Sequence, residues 1–137
     1  TATNDQIDVV LCMNDGLGLG VNQALEAAGL QGAVLMTGLD GESVAFQRIA
    51  EGKQSMTILI NDTATGRAII DTAIAAAKGE EPAVNDVIDN GFKEVPAVLV
   101  DLIPVDKDNL LDIIKEGYVD YDVVYENVPE ADRPARP

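Results

Sequence analysis

Residues Ile7–Gly20 read IDVVLCMNDGLGLG, and this stretch decides the fold. Ile7 to Met13 is short, apolar and rich in branched side chains, the pattern of a strand buried on both faces. Asn14-Asp15 ends the run, and glycines follow at positions 16, 18 and 20. A helical stripe comes next, with Leu17, Val21, Ala24, Leu25 and Ala28 on one side and Gly29 past its end. A buried parallel strand that hands polar residues to a helix start places them at the carboxyl edge of a sheet. Open α/β sheets bind ligands at that edge.

The pattern repeats outward. Ala33 to Thr37 (AVLMT) is a second apolar run, ending in Gly38-Leu39-Asp40-Gly41. Glu42 to Glu51 reads as a helix closed by Gly52, and Ser55 to Ile60 as a third strand. Asn61-Asp62-Thr63 caps a helix over Ala64 to Lys78, whose Ile69, Ile70, Ala73, Ile74 and Ala77 share a face and which stops at Gly79. Asn90-Gly91 between two β-like runs predicts a type I′ hairpin. Ala97 to Val100 continues the second arm as a buried strand after Pro96. Asp106 to Asn109 opens a last helix through Lys115, closed by Gly117, and residues 126–137 read as a surface tail. Strands alternating with helices predict an α/β fold, a parallel sheet with helices on both faces.

Composition narrows the function. At 137 residues the chain is one ordinary domain at most, and a hydrophobic fraction of 47% is that of a globular protein. A net charge of −15 opposes binding to nucleic acid or to anionic membranes. There is no histidine, which removes Ser-His-Asp and Cys-His catalysis and the commonest metal ligand. Cys12, the only cysteine, reads as a buried structural thiol among apolar neighbours. No apolar run approaches the ~20 residues of a membrane-spanning helix. Nothing supplies an activated nucleophile, and the candidate site offers one acidic residue per strand end rather than a facing pair. We therefore expect no enzymatic activity, no metal and no cofactor.

Asn14, Asp15 and Asp40 are the candidate ligand contacts, because all three stand at strand ends. Each also has a plainer reading: Asn14 and Asp15 as helix caps, Asp40 as a turn former before Gly41. Capping is the favoured role for Asp15, ligand contact for the other two. Gly16, Gly18 and Gly20, with Asp40 about 20 residues on, imitate a dinucleotide-binding fingerprint. The spacing fails, since G-x-G-x-x-G would need glycine at Val21, and an NAD-dependent enzyme is only a remote alternative. Asp106, Asp108, Asn109 and Asp112 lack the glycine and closing glutamate of a calcium loop and read as helix capping. Tyr118, Tyr121 and Tyr125 read as packing the tail onto the body.

Several spaced blocks match a known family in order. They are Asn14-Asp15 through Gly20-Val-Asn-Gln-Ala-Leu25, Thr37-Gly-Leu-Asp40-Gly41, Arg48-Ile-Ala-Glu-Gly52-Lys-Gln-Ser-Met-Thr57, Asn90-Gly91 before Val95-Pro96, and Val105-Asp-Lys-Asp-Asn109. Through them the chain resembles the type I periplasmic binding proteins, closest to the ribose, galactose and xylose receptors of ABC sugar importers. LacI-type regulators share the fold in a sugar-sensing role, but usually carry a Pro-rich stretch where this chain has Gly52 to Thr57. The resemblance implies a two-lobed, doubly wound fold gripping a pentose or hexose in the cleft, with Asn14 and Asp40 on sugar hydroxyls. Chemistry agrees, since a carboxylate accepts two donated bonds and an amide both donates and accepts. Ribose receptors carry a Gln at the end of the third strand, where this chain has Ile60, so the sugar is not named.

The resemblance also implies a membrane permease as partner and a periplasmic or extracytoplasmic location, with a secretion signal or a lipid anchor expected before Thr1. It begins inside the second lobe and runs to the family's C-terminus, so we expect the C-terminal portion of a receptor. On that pattern residues 1–60 belong to the C-terminal lobe, 61–102 to the N-terminal lobe, 103–125 return, and 126–137 form the tail. Ile69, Ile70 and Ile74 would then be exposed until a complementary N-terminal portion covers them.

Overall fold

The computed structural model describes residues 6–137. These divide into two compact units, one running up to Leu59 and resuming at Ile103–Pro137, the other Ile60–Leu102.

The first unit is α/β with parallel strands. β1 (Val9–Val10) pairs in parallel with β2 (Leu35–Met36), Val9 opposite Leu35. Beyond β2 the chain runs on beside β3 (Met56–Ile60), through a parallel bridge between Asp40 and Leu59. β3 in turn neighbours β6 (Leu102–Asp106). Helices α1 (Asp15–Ala27) and α2 (Ser43–Ala50) connect the strands, and α4 (Leu110–Lys115) and α5 (Tyr121–Val124) follow β6.

The core joins Phe46, Ile49 and Ala50 of α2 to Leu59, Val105, Leu110, Ile113, Ile114 and Val124. It forms because α2 and α4 put their apolar residues at helical spacing on the side facing β3 and β6. Tyr125 and Val128 complete it, so residues 126–137 are not simply a surface tail. Tyr121 donates its hydroxyl to the carbonyl of Pro134 at 2.5 Å, and Arg136 lies 4.7 Å over the Tyr121 ring. A single apolar residue, Val128, draws a polar segment inward, and the Tyr121 ring holds its end.

The second unit holds α3 (Asp62–Lys78) and the hairpin of β4 (Asp86–Asp89) with β5 (Glu94–Ala97). Asn61 caps α3 by accepting the N–H of Ala64, and Gly79 ends it at φ 73°. No residue of α3 is buried, and Ile69 is 64% exposed. One side of the helix and the 81–100 segment line an apolar groove of about 810 Å³.

Three local expectations need correction. The run Ile7–Met13 is a strand only at Val9–Val10, and Leu11 and Met13 are each 77% exposed rather than buried. Among the described residues β1 is an edge strand with β2 as its one neighbour, so its flank meets solvent. The Asn90-Gly91 turn is not type I′. Asp89 pairs with Glu94 across a four-residue loop, only Gly91 has positive φ, and the Asn90 side chain accepts the N–H groups of Phe92 and Lys93. That local bond competes with the tighter turn. Ala97–Val100 does not continue as a buried strand, for β5 stops at Ala97 and Leu99 is exposed. β6 is a strand despite Pro104, which an edge position tolerates because no ladder N–H is needed there.

Candidate functional site

The carboxyl ends of β1 and β2 and the amino end of β3 meet at a knot of buried polar side chains. Its centre is Asp15, the first residue of α1, with no exposed surface. Asp15 Oδ2 accepts the backbone N–H groups of Gly41 and Glu42, each at 3.0 Å. Oδ1 accepts Gln54 Nε2 at 3.1 Å, and the Thr57 hydroxyl lies 2.9 Å from both oxygens. The main chain of Asp15 is also engaged: its N–H donates to Leu39 O at 2.8 Å, and its carbonyl accepts Arg48 Nη2 at 3.0 Å. Arg48 Nε donates to Gln54 Oε1 at 2.8 Å.

A buried carboxylate is tolerable only with its lone pairs filled, and these are. Arg48 supplies a nearby positive charge through the Asp15 carbonyl rather than by a direct ion pair. Burial pulls the Arg48 guanidinium below its ordinary range, while the charge of Asp15 pushes the other way. Burial raises the Cys12 thiol, Arg48 opposing and Asp15 reinforcing the shift. Cys12 is half-buried, not sealed in a core.

The helix cap is Asn14, whose Oδ1 accepts the N–H of Leu17 at 2.8 Å. Asp15, favoured as a cap from sequence, instead serves the start of a different helix, α2, where Glu42 is the N-cap residue and makes no side-chain cap bond of its own. With its oxygens occupied by protein donors, Asp15 is not offered to a ligand. Asn14 keeps its amide Nδ2 free of any hydrogen bond to another described residue. Asp40 keeps its carboxylate equally free, and its backbone N–H donates to Ile58 O at 2.9 Å. The bond from Asp15 N–H to Leu39 O sets Asn14 and Asp40 one residue to either side of it, on adjacent segments.

Asp40 has φ 106°, the only positive φ at a non-glycine among the described residues. Such a conformation costs free energy and persists only where its surroundings impose it. Gly41 follows at φ 77°, and a Cβ there would stand 2.8 Å from Leu59 Cα, so only glycine fits.

A sequence model described as the periplasmic binding protein domain matches residues 1–81, more than half of the chain. The chain belongs to the periplasmic binding protein family. The D-xylose-binding periplasmic proteins of Escherichia coli (strain K12) and Haemophilus influenzae are similar at 38% identity over 119 residues and 36% over 126. These alignments cover 86% and 91% of this chain but 36% and 38% of those proteins, so the chain spans just over a third of their length. Among solved structures, a carbohydrate transporter solute binding protein from Chloroflexus aurantiacus in complex with D-glucose superposes with a TM-score of 0.76 at 27% identity, covering all of this chain and 38% of that one. An ABC transporter solute binding protein from Clostridium phytofermentans with bound β-D-glucose gives 0.72 at 30% identity, over 90% and 39%.

As a type I periplasmic binding protein, the chain has its knot entirely inside the matched residues 1–81. Sequence reasoning did not assign Arg48, Gln54 or Thr57 to the site. Their signal was polarity in the wrong place: Thr57 within an apolar strand, and Arg48 on the buried side of an amphipathic helix. The glycines of the fingerprint lie inside α1, not in a phosphate loop, and a Cβ built on Gly18 would stand 3.4 Å from Arg48 Nη2. Asp106 and Asn109 tie their own turn, Asp106 Oδ1 accepting Asp108 N–H and Asn109 Oδ1 accepting Asp106 N–H, rather than capping α4.

Proposed function

We propose that this chain contributes half of a monosaccharide site in the solute receptor of an ABC-type sugar importer, acting outside the cytoplasm and without catalysis. One observation carries the reading: Asn14 offers a free amide donor and Asp40 a free carboxylate on either side of a single backbone bond at the sheet's carboxyl edge. A sugar hydroxyl both accepts and donates, so this pair matches it. The names of the relatives support the same ligand class, a pentose or hexose.

On this reading Ile60–Leu102 belongs to the receptor's other lobe, and the complementary N-terminal portion covers the apolar side of α3 before a membrane permease receives the closed complex. Exposed Ile69, Ile70 and Ile74 support that assignment, since an uncovered patch of this kind marks an interaction surface. Titration calorimetry of the two-lobed receptor with D-xylose, D-glucose and D-allose tests it. Saturable heat with one of them is the expected result, and none with any of the three would refute the reading.

A further inference from the structure

Asp40 would be a poor ligand group if left to itself. Its φ of 106° lies where side-chain-bearing residues rarely settle, and an unconstrained loop would relax out of it. The structure shows what prevents that. Leu39, before it, gives its carbonyl to the N–H of Asp15. Gly41, after it, gives its N–H to Oδ2 of the same Asp15, and Glu42 adds a second bond to that oxygen. One residue therefore grips Asp40 on both sides, across 26 residues of sequence. Its anchorage is rigid because Thr57 and Gln54 hold the same carboxylate and Arg48 holds its carbonyl.

We propose that Asp15 is the positioning residue of the site: it holds the 39–42 turn so that Asp40 keeps its strained conformation and meets the sugar pre-organised. Asp15 touches no ligand and acts only through Asp40. The inference rests on the sugar-binding reading, but part of its test does not.

Asp15→Asn keeps the shape of the side chain and replaces one acceptor with a donor. Gly41 and Glu42 present only N–H groups on one side of the carboxylate, and Gln54 Oε1 is already bonded to Arg48 on the other. Val124→Ala empties part of the buried core and touches none of the bonds that hold Asp15. Both variants should lower stability. Only Asp15→Asn should weaken the sugar that binds the wild-type receptor, by about 10-fold or more, with Val124→Ala within about 2-fold. In the same receptor, the amide resonances of Gly41 and Glu42 and the HN–Hα coupling of Asp40 should move in Asp15→Asn and stay in Val124→Ala.

Wild-type affinity in a folded Asp15→Asn, or losses that track stability equally in both variants, would overturn the proposal. If the wild-type receptor binds none of D-xylose, D-glucose and D-allose, the functional reading fails. The Asp40 coupling then still decides the positioning role, an unchanged value in Asp15→Asn refuting it.

Discussion

A Cβ built on Gly38 would overlap Oδ1 of Asp15 and stand 2.5 Å from Nε2 of Gln54. The carboxylate at the centre of the knot lies against the bare backbone of the β2–α2 segment, with no room between them for a methyl group. Gly38→Ala must displace a fully buried, fully bonded carboxylate. We expect a loss of roughly 3 kcal/mol or more, the upper end for overpacking, because hydrogen bonds are broken as well. Urea unfolding measures it, and a change under about 1 kcal/mol would mean the knot yields easily.

Asp40 sets stability against binding. Asp40→Gly should stabilise the fold by about 1 kcal/mol by releasing the positive φ. Asp40→Ala keeps the strain and should leave stability near the wild type. Both remove the carboxylate, and Asp40→Ala should weaken sugar binding about 10- to 150-fold in the two-lobed receptor. Melting curves and calorimetry on the pair separate the two effects, and unchanged affinity in both would remove Asp40 from the site.

Arg48→Met keeps the length of the buried stem and deletes the guanidinium. Gln54 Oε1 and the Asp15 carbonyl then lose their donors. About 1–3 kcal/mol of destabilisation is expected, and Arg48→Lys should recover little of it, because one ammonium cannot reproduce the two-pronged geometry. Denaturant midpoints of the two variants, compared at equal slope, check this.

Cys12 should alkylate slowly at neutral pH although it is partly exposed. Burial raises its pKa, so less thiolate is present than in an ordinary thiol at the same pH. The rate with iodoacetamide should climb as pH rises and level off later than for free cysteine. A rate at pH 7.4 equal to that of a free thiol would contradict the assignment.

Alternation of apolar runs with capped helices was enough to read the parallel α/β fold, because both signals are local: a strand is short and branched, a helix repeats every 3.6 residues and ends at glycine. Gly52, Gly79 and Gly117 do adopt positive φ just past the helices they were expected to close. Asn14 and Asp40 were legible as candidates for the same reason, each standing at the end of such a run. Strand β6 was not, since Pro104 argues against a strand unless its edge position is known. The role of Asp15 was out of reach as well. An Asp at a helix start looks like a cap, and its true partners, Gly41, Glu42, Gln54 and Thr57, lie 26 to 42 residues away. Sequence determines which residues can bond, through their donors and acceptors. Only folding decides which of them share one buried carboxylate, because desolvation forces each polar group shut inside to find a partner wherever the chain has brought one.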